Sequence, residues 1–223
     1  DAAAMFAMLF SGLLLPMFAR LISANEDVRP LTNMASTLLS VVSLTVAGAA
    51  ITFGEDLLYV MYQIPDPDNL AWSASVFGNI MSAFVPMSLI FVFSTLLTAK
   101  RDLKYLNIFA FAALSCNLIL NLILIPAYQS KGASISSLCT QSLFAILCMA
   151  RCFYLFKFKL IAKDLLKYGL FIGALAGIAW LFKGMDNVLL SLLLYGMCAM
   201  LLVFLLRIID LRQLLITFKG RPQ

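Results

Sequence analysis

Long stretches without charge alternate along the chain with short polar segments. No charged residue occurs from Leu70 to Ala99 or from Tyr105 to Ser130. A helix needs about 20 apolar residues to cross a bilayer core about 30 Å thick. The stretches do not alternate in polarity at every second residue, as the strands of a membrane barrel do. Because lipid offers the backbone no hydrogen-bond partner, the pattern predicts membrane-spanning helices.

The same pattern predicts seven spans within a single transmembrane domain that covers residues 1–223. The sixth span is the weakest, because its uncharged core from Tyr168 to Phe182 is short for a crossing, although Lys167 and Lys183 can reach the interface on either side. The predicted fold class is therefore an all-α polytopic transmembrane helix bundle. The predicted spans are 2–19, 35–53, 70–99, 105–126, 132–156, 167–183 and 187–206.

The basic residues predict how these spans are oriented. If successive loops alternate between the two sides, one side holds 20–34, 100–104, 151–167 and 207–223, which contain 14 of the 16 lysine and arginine residues. Short cytoplasmic loops are enriched in lysine and arginine, so this side, with the C-terminus, is predicted to lie in the cytoplasm. The 54–69 loop is acidic and is predicted to lie outside. Topology and anionic headgroups explain the net charge of +5, and no nucleic-acid partner is predicted.

Composition narrows the classes of function. The chain is 63% hydrophobic and 12% charged, whereas soluble domains carry roughly a quarter charged residues. Histidine is absent, and the five cysteines lie in apolar blocks without a CxxC pair, so neither a metal site, a cofactor nor a disulfide framework is predicted. No nucleotide-binding, zinc-protease or serine-hydrolase motif occurs, and the chain is predicted not to be an enzyme.

Polar side chains inside the predicted spans each have two interpretations. Asn79, Asn117, Asn121 and Gln141 either hydrogen-bond to a neighbouring helix or line a transport path. Asn117 and Asn121 are four residues apart and share a helical face. Arg20, at the predicted cytoplasmic end of the first span, either anchors that span at the interface or meets an anionic group of a substrate.

Three prolines mark candidate kinks or hinges. Pro16 lies near the end of the first span and Pro86 in the middle of the third, where each removes a backbone donor. The third span, with Pro86 and several small residues, suits either a moving element that lines a cavity or close packing of helices. Pro126 is predicted to end the fourth span, with a tight turn over 127–131.

Three segments carry a family resemblance. Segment 117–135 resembles a pattern of the polysaccharide flippases, in which an asparagine-containing apolar helix runs into a proline, a Tyr-Gly-like turn and a Gly-Ala-Ala-Ile helix start. Gln129 stands here where glycine is usual, and Ser134 where alanine is usual. Segment 15–20 (LPMFAR) resembles the family's Phe-Pro-x-x-Ser-Arg helix end, and 98–104 resembles a short basic loop between two later helices.

The chain thus resembles the O-antigen flippase branch of the multidrug/oligosaccharidyl-lipid/polysaccharide exporters, which are built from two helical lobes. The resemblance implies a C-terminal lobe that pairs with a missing N-terminal lobe of the same protein, in keeping with a sequence that starts at Asp1 without an initiator methionine. It implies transport of a polyprenyl-pyrophosphate-linked glycan across the cytoplasmic (inner) membrane by alternating access. Arg20 would then face an anionic group, and Asn79, Asn117, Asn121 and Gln141 would contact glycan or the other lobe.

Three alternatives remain open at this point. A multidrug exporter half typically needs carboxylates within the membrane, and none occurs in the predicted spans. A lipid II flippase half is expected to line its cavity with several basic residues, whereas only Arg20 lies near a plausible cavity. A membrane-embedded glycan-processing enzyme is expected to carry histidine, aspartate or arginine in large outer loops, and the 54–69 loop has neither histidine nor arginine.

Overall fold

The computed structural model describes residues 2–158, 162–185 and 187–206, without the side chains of 2–11 and 162–165. These residues form helices and turns, with no strand among them, so the predicted all-α bundle is confirmed. The predicted cytoplasmic segment 207–223 lies outside the described residues, as do 159–161. In chain order the helices are α1 (Ala2–Ser23), α2 (Arg29–Tyr62), α3 (Pro67–Ser82), α4 (Phe84–Ala99), α5 (Leu103–Phe156), α6 (Ala162–Phe182) and α7 (Val188–Leu205).

Four helical segments of the described chain are long and apolar enough to cross a membrane. Three of them are α2, α5 and α7, and the fourth, Pro67–Ala99, joins α3 and α4 across a single turn residue, Ala83. The apolar parts of α1 and α6 with described side chains, Gly12–Ser23 and Leu166–Phe182, are shorter than a full crossing. These lengths support a membrane-embedded bundle.

Helix α5 is a hairpin rather than one straight rod. Its 54 residues would extend about 80 Å if straight. Instead, Arg151 near its end donates from Nε to Asp102 Oδ2 just before its start, at 2.7 Å. The chain reverses at Gln129, whose φ of 48° and ψ of −127° are not helical. We call residues 103–128 the first arm of α5 and residues 130–156 the second arm.

The two arms correspond to the predicted spans 105–126 and 132–156, but the prediction that Pro126 ends the helix is wrong. The first arm continues past Pro126 to the reversal at Gln129. A proline removes its own N–H and crowds the carbonyl four residues earlier. The residues that follow it keep their own hydrogen bonds, so a helix can continue beyond it. Gly132 lies in the first turn of the second arm, close to the first arm, and an added Cβ there would collide with the carbonyl of Leu124.

Helix α2 extends well beyond its predicted span of 35–53, and the predicted 54–69 loop is therefore mostly helical. Glu55 and Asp56 are exposed positions on α2, which ends only at Tyr62. The 34 residues of α2 extend about 51 Å, more than the thickness of a bilayer core. Charged residues interrupt an apolar run without breaking a helix, so hydropathy alone placed this boundary too early.

Two short segments show how local chemistry sets helix ends. Before α3, Asp66 accepts the backbone N–H of Asp68 through Oδ1 at 3.2 Å, and Pro67 stands at the first helical position, as helix starts favour. Before α2, Arg29 Nε donates to Asp27 Oδ1 at 2.8 Å. This hydrogen bond from the guanidinium holds the pKa of the Asp27 carboxyl below its usual value.

One buried cluster gathers the ends of α1, α2, α4 and α5. Phe18 of α1 and Leu97 of α4 are fully buried in it, together with Leu31 of α2 and Cys152 of α5. The C-terminal ends of α1, α4 and α5 and the start of α2 therefore meet at one end of the bundle. Counting of basic residues assigned the segments at these helix ends to a common side, and the assignment of that side to the cytoplasm stays a prediction.

A second cluster attaches the α6–α7 pair to α2. Phe171 and Leu175 of α6 pack with Tyr195 of α7 against Phe53 of α2, whose ring meets the Tyr195 ring edge-on at a centroid distance of 5.7 Å. Helices α6 and α7 contact each other and α2. The pair thus forms an outer layer over α2.

Candidate functional site

A line of polar side chains runs between α3 and the two arms of α5, within otherwise apolar helices. We call it the polar seam. Its members form four separate sets of side-chain hydrogen bonds, and most of them are half-buried. The seam consists of Trp72, Asn79, Asn117, Asn121, Ser130, Ser134, Ser137, Thr140 and Gln141.

Two hydrogen bonds join α3 to the second arm of α5. Trp72 donates from Nε1 to Ser130 Oγ at 3.1 Å, and Asn79 donates from Nδ2 to Ser134 Oγ at 3.2 Å. The residue that comes later in α3 pairs with the residue that comes later in the second arm, so the two helices run in parallel. Lys131 lies at the same end, with Nζ 5.6 Å from the centre of the Trp72 ring.

Two further hydrogen bonds hold the arms of α5 together. Asn117 donates from Nδ2 to Thr140 Oγ1 at 3.2 Å across the hairpin. Asn121 donates from Nδ2 to Asn117 Oδ1 at 2.9 Å along the first arm. The amide of Asn117 is therefore used as both donor and acceptor, which satisfies it inside an apolar environment.

Two amide oxygens of the seam are buried without a hydrogen-bond donor. They are Oδ1 of Asn121 and Oε1 of Gln141. The nitrogen of Gln141 is within 3.4 Å of Ser137 Oγ, one turn earlier on the same arm. A buried acceptor that finds no donor costs about 1–3 kcal/mol. These two oxygens are thus the energetically unfavourable positions of the seam, and they are positions at which a donor would bind favourably.

Gln141 lies at the level of the junction between α3 and α4. Two contacts bracket this level: Trp72 donates to Ser130, and the Phe93 carbonyl accepts from Cys152 Sγ at 3.5 Å. Because the two helices run in parallel between these contacts, Gln141 lies opposite residues 82–86. In that stretch α3 ends at Ser82 and Pro86 lies in the first turn of α4. Pro86 has no N–H, so the Ser82 carbonyl lacks its usual intrahelical donor.

The structure brings four of the five predicted site residues into one seam, since Asn79, Asn117, Asn121 and Gln141 all belong to it. Arg20 does not join them. It is exposed in the last turn of α1, at the end of the bundle marked by the first buried cluster.

The three predicted kink positions have different surroundings. Pro16 is exposed within α1, which stays helical through it. Pro86 is buried three residues after the Ala83 turn. Pro126 is exposed on the first arm of α5, three residues before the reversal.

Sequence reasoning missed the hydroxyl and indole partners in the seam. Ser130, Ser134, Ser137 and Gln141 recur at intervals of three or four residues, which places them on one face of the second arm. That periodicity was the signal that could have identified them. Thr140 carries no such signal, because its role depends on the hairpin register that brings it opposite Asn117.

The seam is chemically neutral. It offers hydroxyl and amide donors together with two free amide acceptors, which suits recognition of hydroxyl groups. Within the described part of the chain, no three histidine, cysteine, aspartate or glutamate side chains come together in a metal-binding arrangement.

Comparison with known proteins does not assign the chain to a family. No protein-family model matches the chain, and no curated protein matches it. The geometry of the seam and the distribution of charge are therefore the basis on which a function is argued.

Proposed function

We propose that the chain forms one lobe of a transporter that moves a lipid-linked oligosaccharide across the cytoplasmic membrane. The observation that carries the proposal is the pair of buried amide oxygens, on Asn121 and Gln141, which lie inside apolar helices without a donor. A glycan presents many hydroxyl donors and satisfies such acceptors, whereas a purely hydrocarbon substrate does not.

A weakened point in Pro67–Ala99 supports movement near Gln141. The helix continues through Ala83, whose φ of −66° and ψ of −16° are helical, but Pro86 leaves the Ser82 carbonyl without its intrahelical donor. Helices kink at prolines of this kind. In the proposed cycle, parting of α3 from the second arm exposes the free acceptors to the glycan, and reclosure releases it on the other side.

The proposed partner surface is a second lobe of the same protein. A two-lobe arrangement lets the charged pyrophosphate and the glycan cross in a hydrated space while the polyprenyl tail stays in lipid. Arg20 is exposed where the predicted cytoplasmic loops meet. We assign it the role of meeting the pyrophosphate as the lipid arrives, because a guanidinium binds such oxygens in a bidentate manner.

The test uses the full coding sequence that contains these residues, expressed in a bacterial strain that lacks its own polysaccharide flippase. Restoration of surface polysaccharide, measured on gels, reports transport. Gln141→Leu keeps the approximate volume of the side chain but removes the free acceptor. We expect at least a several-fold loss of surface polysaccharide together with unchanged or higher thermal stability, since the unpaired oxygen is gone.

Asn107→Leu is the control, because it removes an exposed amide from the other arm of α5, outside the seam. It is expected to leave transport unchanged. If the full-length protein does not restore surface polysaccharide at all, the glycan assignment is wrong. If Gln141→Leu lowers thermal stability and leaves transport intact, the amide is a packing residue instead.

A further inference from the structure

A cavity lies beside α2, between the junction of α3 with α4 and the α6–α7 pair. Its volume is about 340 Å³. Ser82 and Val85 line the wall at that junction. Helix α2 supplies a second wall through Ala47 and Gly48, and α6 and α7 close the rest.

Tyr195 carries the buried, unpaired hydroxyl among the polar side chains that line this cavity, which also include Thr52 and Ser82. Tyr195 of α7 lines it, is 1% exposed, and its hydroxyl has no hydrogen-bond partner. The ring is held in place by its edge-on contact with Phe53. Gly48 faces the hydroxyl so closely that an added Cβ would collide with it. The phenol therefore has little freedom to turn towards another partner.

The mouth of the cavity is apolar. Ile51 is 67% exposed and Ile172 is 49% exposed, and Ala176 beside them is also exposed. These residues lie in the middle of helices that cross or enter the membrane, so the surrounding medium is hydrocarbon. A molecule that enters here must therefore partition into the bilayer first.

From this geometry we infer that the cavity binds a neutral, mainly hydrocarbon molecule that carries one oxygen for a hydrogen bond with Tyr195. The volume suits a compact ligand, since an engineered cavity of about 150 Å³ holds benzene and this one is roughly twice that size. The ligand enters sideways from the bilayer through the mouth at Ala176, and the phenol selects an oxygen-bearing molecule over a plain alkane. The site shares no residue with the polar seam.

The experiment uses two photoreactive probes of equal length, a diazirine-bearing decanol and a diazirine-bearing decane. The purified full-length protein is labelled in nanodiscs, and labelled peptides are mapped by mass spectrometry. We expect the decanol to label peptides of α2, α6 and α7 that line the cavity, to exceed the decane there, and to be displaced by excess 1-decanol.

Two variants make the test specific. Tyr195→Phe removes the hydroxyl alone, and we expect the ratio of decanol to decane labelling to fall roughly 2- to 10-fold, the range that one net hydrogen bond provides. Ala176→Phe fills the mouth, and we expect it to remove cavity labelling by both probes. Ala112→Phe, an exposed position on the first arm of α5, is the matched control and should leave labelling unchanged.

Thermal unfolding of each variant without probe shows that the fold is retained. Tyr195→Phe should be as stable as the parent protein or more so, because its hydroxyl is unpaired. Equal labelling by decanol and decane in the parent protein, or a ratio that Tyr195→Phe leaves unchanged, would overturn the inference. Cavity labelling that persists in Ala176→Phe would do the same.

Discussion

Neighbouring amides of the polar seam differ in what they can do, although each is an asparagine or glutamine in an apolar helix. Asn117 donates to Thr140 and accepts from Asn121, so it is satisfied within the fold. Gln141 and Asn121 each keep a buried oxygen without a donor. The first pattern is typical of a structural residue, and the second leaves an acceptor that a substrate hydroxyl can use.

Gln129 carries a different kind of unfavourable energy, in its backbone. Its φ of 48° and ψ of −127° match a turn position that favours glycine, and non-glycine residues in such regions cost about 1–3 kcal/mol. We therefore expect Gln129→Gly to raise the free energy of unfolding by about 1 kcal/mol in a detergent titration. Gln63→Gly, at the milder φ of 50° and ψ of 43°, is the control and should gain less. A loss of stability in Gln129→Gly would show that its side chain matters more than its backbone.

The hairpin of α5 depends on close approach of its arms at Gly132. A methyl group there would meet the Leu124 carbonyl, which is backbone and cannot move aside as a flexible side chain can. We expect Gly132→Ala to lower the free energy of unfolding by about 3 kcal/mol, at the upper end of overpacking effects. Gly177→Ala on α6 has open space around it and should be close to neutral. Equal stability of the two variants in a thermal-unfolding assay would contradict the close contact.

The hydrogen bond between Asn117 and Thr140 is the second link between the arms. A double-mutant cycle with Asn117→Ala and Thr140→Val should give a coupling energy of about 0.6 kcal/mol and at most about 1.7 kcal/mol, the range found for such bonds between membrane helices. The same cycle with Asn107→Ala in place of Asn117→Ala should be additive, because Asn107 is exposed on the same arm. A coupling indistinguishable from zero in the Asn117 cycle would mean that the arms are held by apolar packing alone.

Hydropathy located the helices but not the points at which they end or meet. The uncharged run from Tyr105 to Ser130 predicts the first arm of α5, and the predicted turn over 127–131 contains the reversal at Gln129, although the helix does not end at Pro126. The exact residue of the reversal has no signal of its own, because glutamine is an unfavourable residue for that conformation. The pairing of Asn79 with Ser134 was equally hidden, since it depends on the parallel register of α3 and the second arm.

For the molecule as a whole, two buried clusters divide the bundle into parts that can move differently. The cluster around Phe18 and Leu97 ties α1, α2, α4 and α5 together at one end. The cluster around Phe171 and Tyr195 ties α6 and α7 to α2. The polar seam lies outside both clusters, along α3 and the arms of α5. Side-chain hydrogen bonds, and neither of the two buried apolar clusters, therefore join α3 to the second arm along the seam. Such a contact suits an interface between helices that opens.

The most direct test of this account asks whether water reaches Gln141 at membrane depth. In the full-length protein in native membranes, Gln141→Cys is treated with a charged, membrane-impermeant thiol reagent, which reacts with the thiolate that forms in water. The parent protein gives the background from its five cysteines, and Leu118→Cys, 61% exposed on the apolar surface, is the lipid-facing control. The account predicts modification at 141 and none at 118. Labelling at 141 no greater than at 118 would show that the seam is a permanently closed packing contact and would contradict a transport path through it.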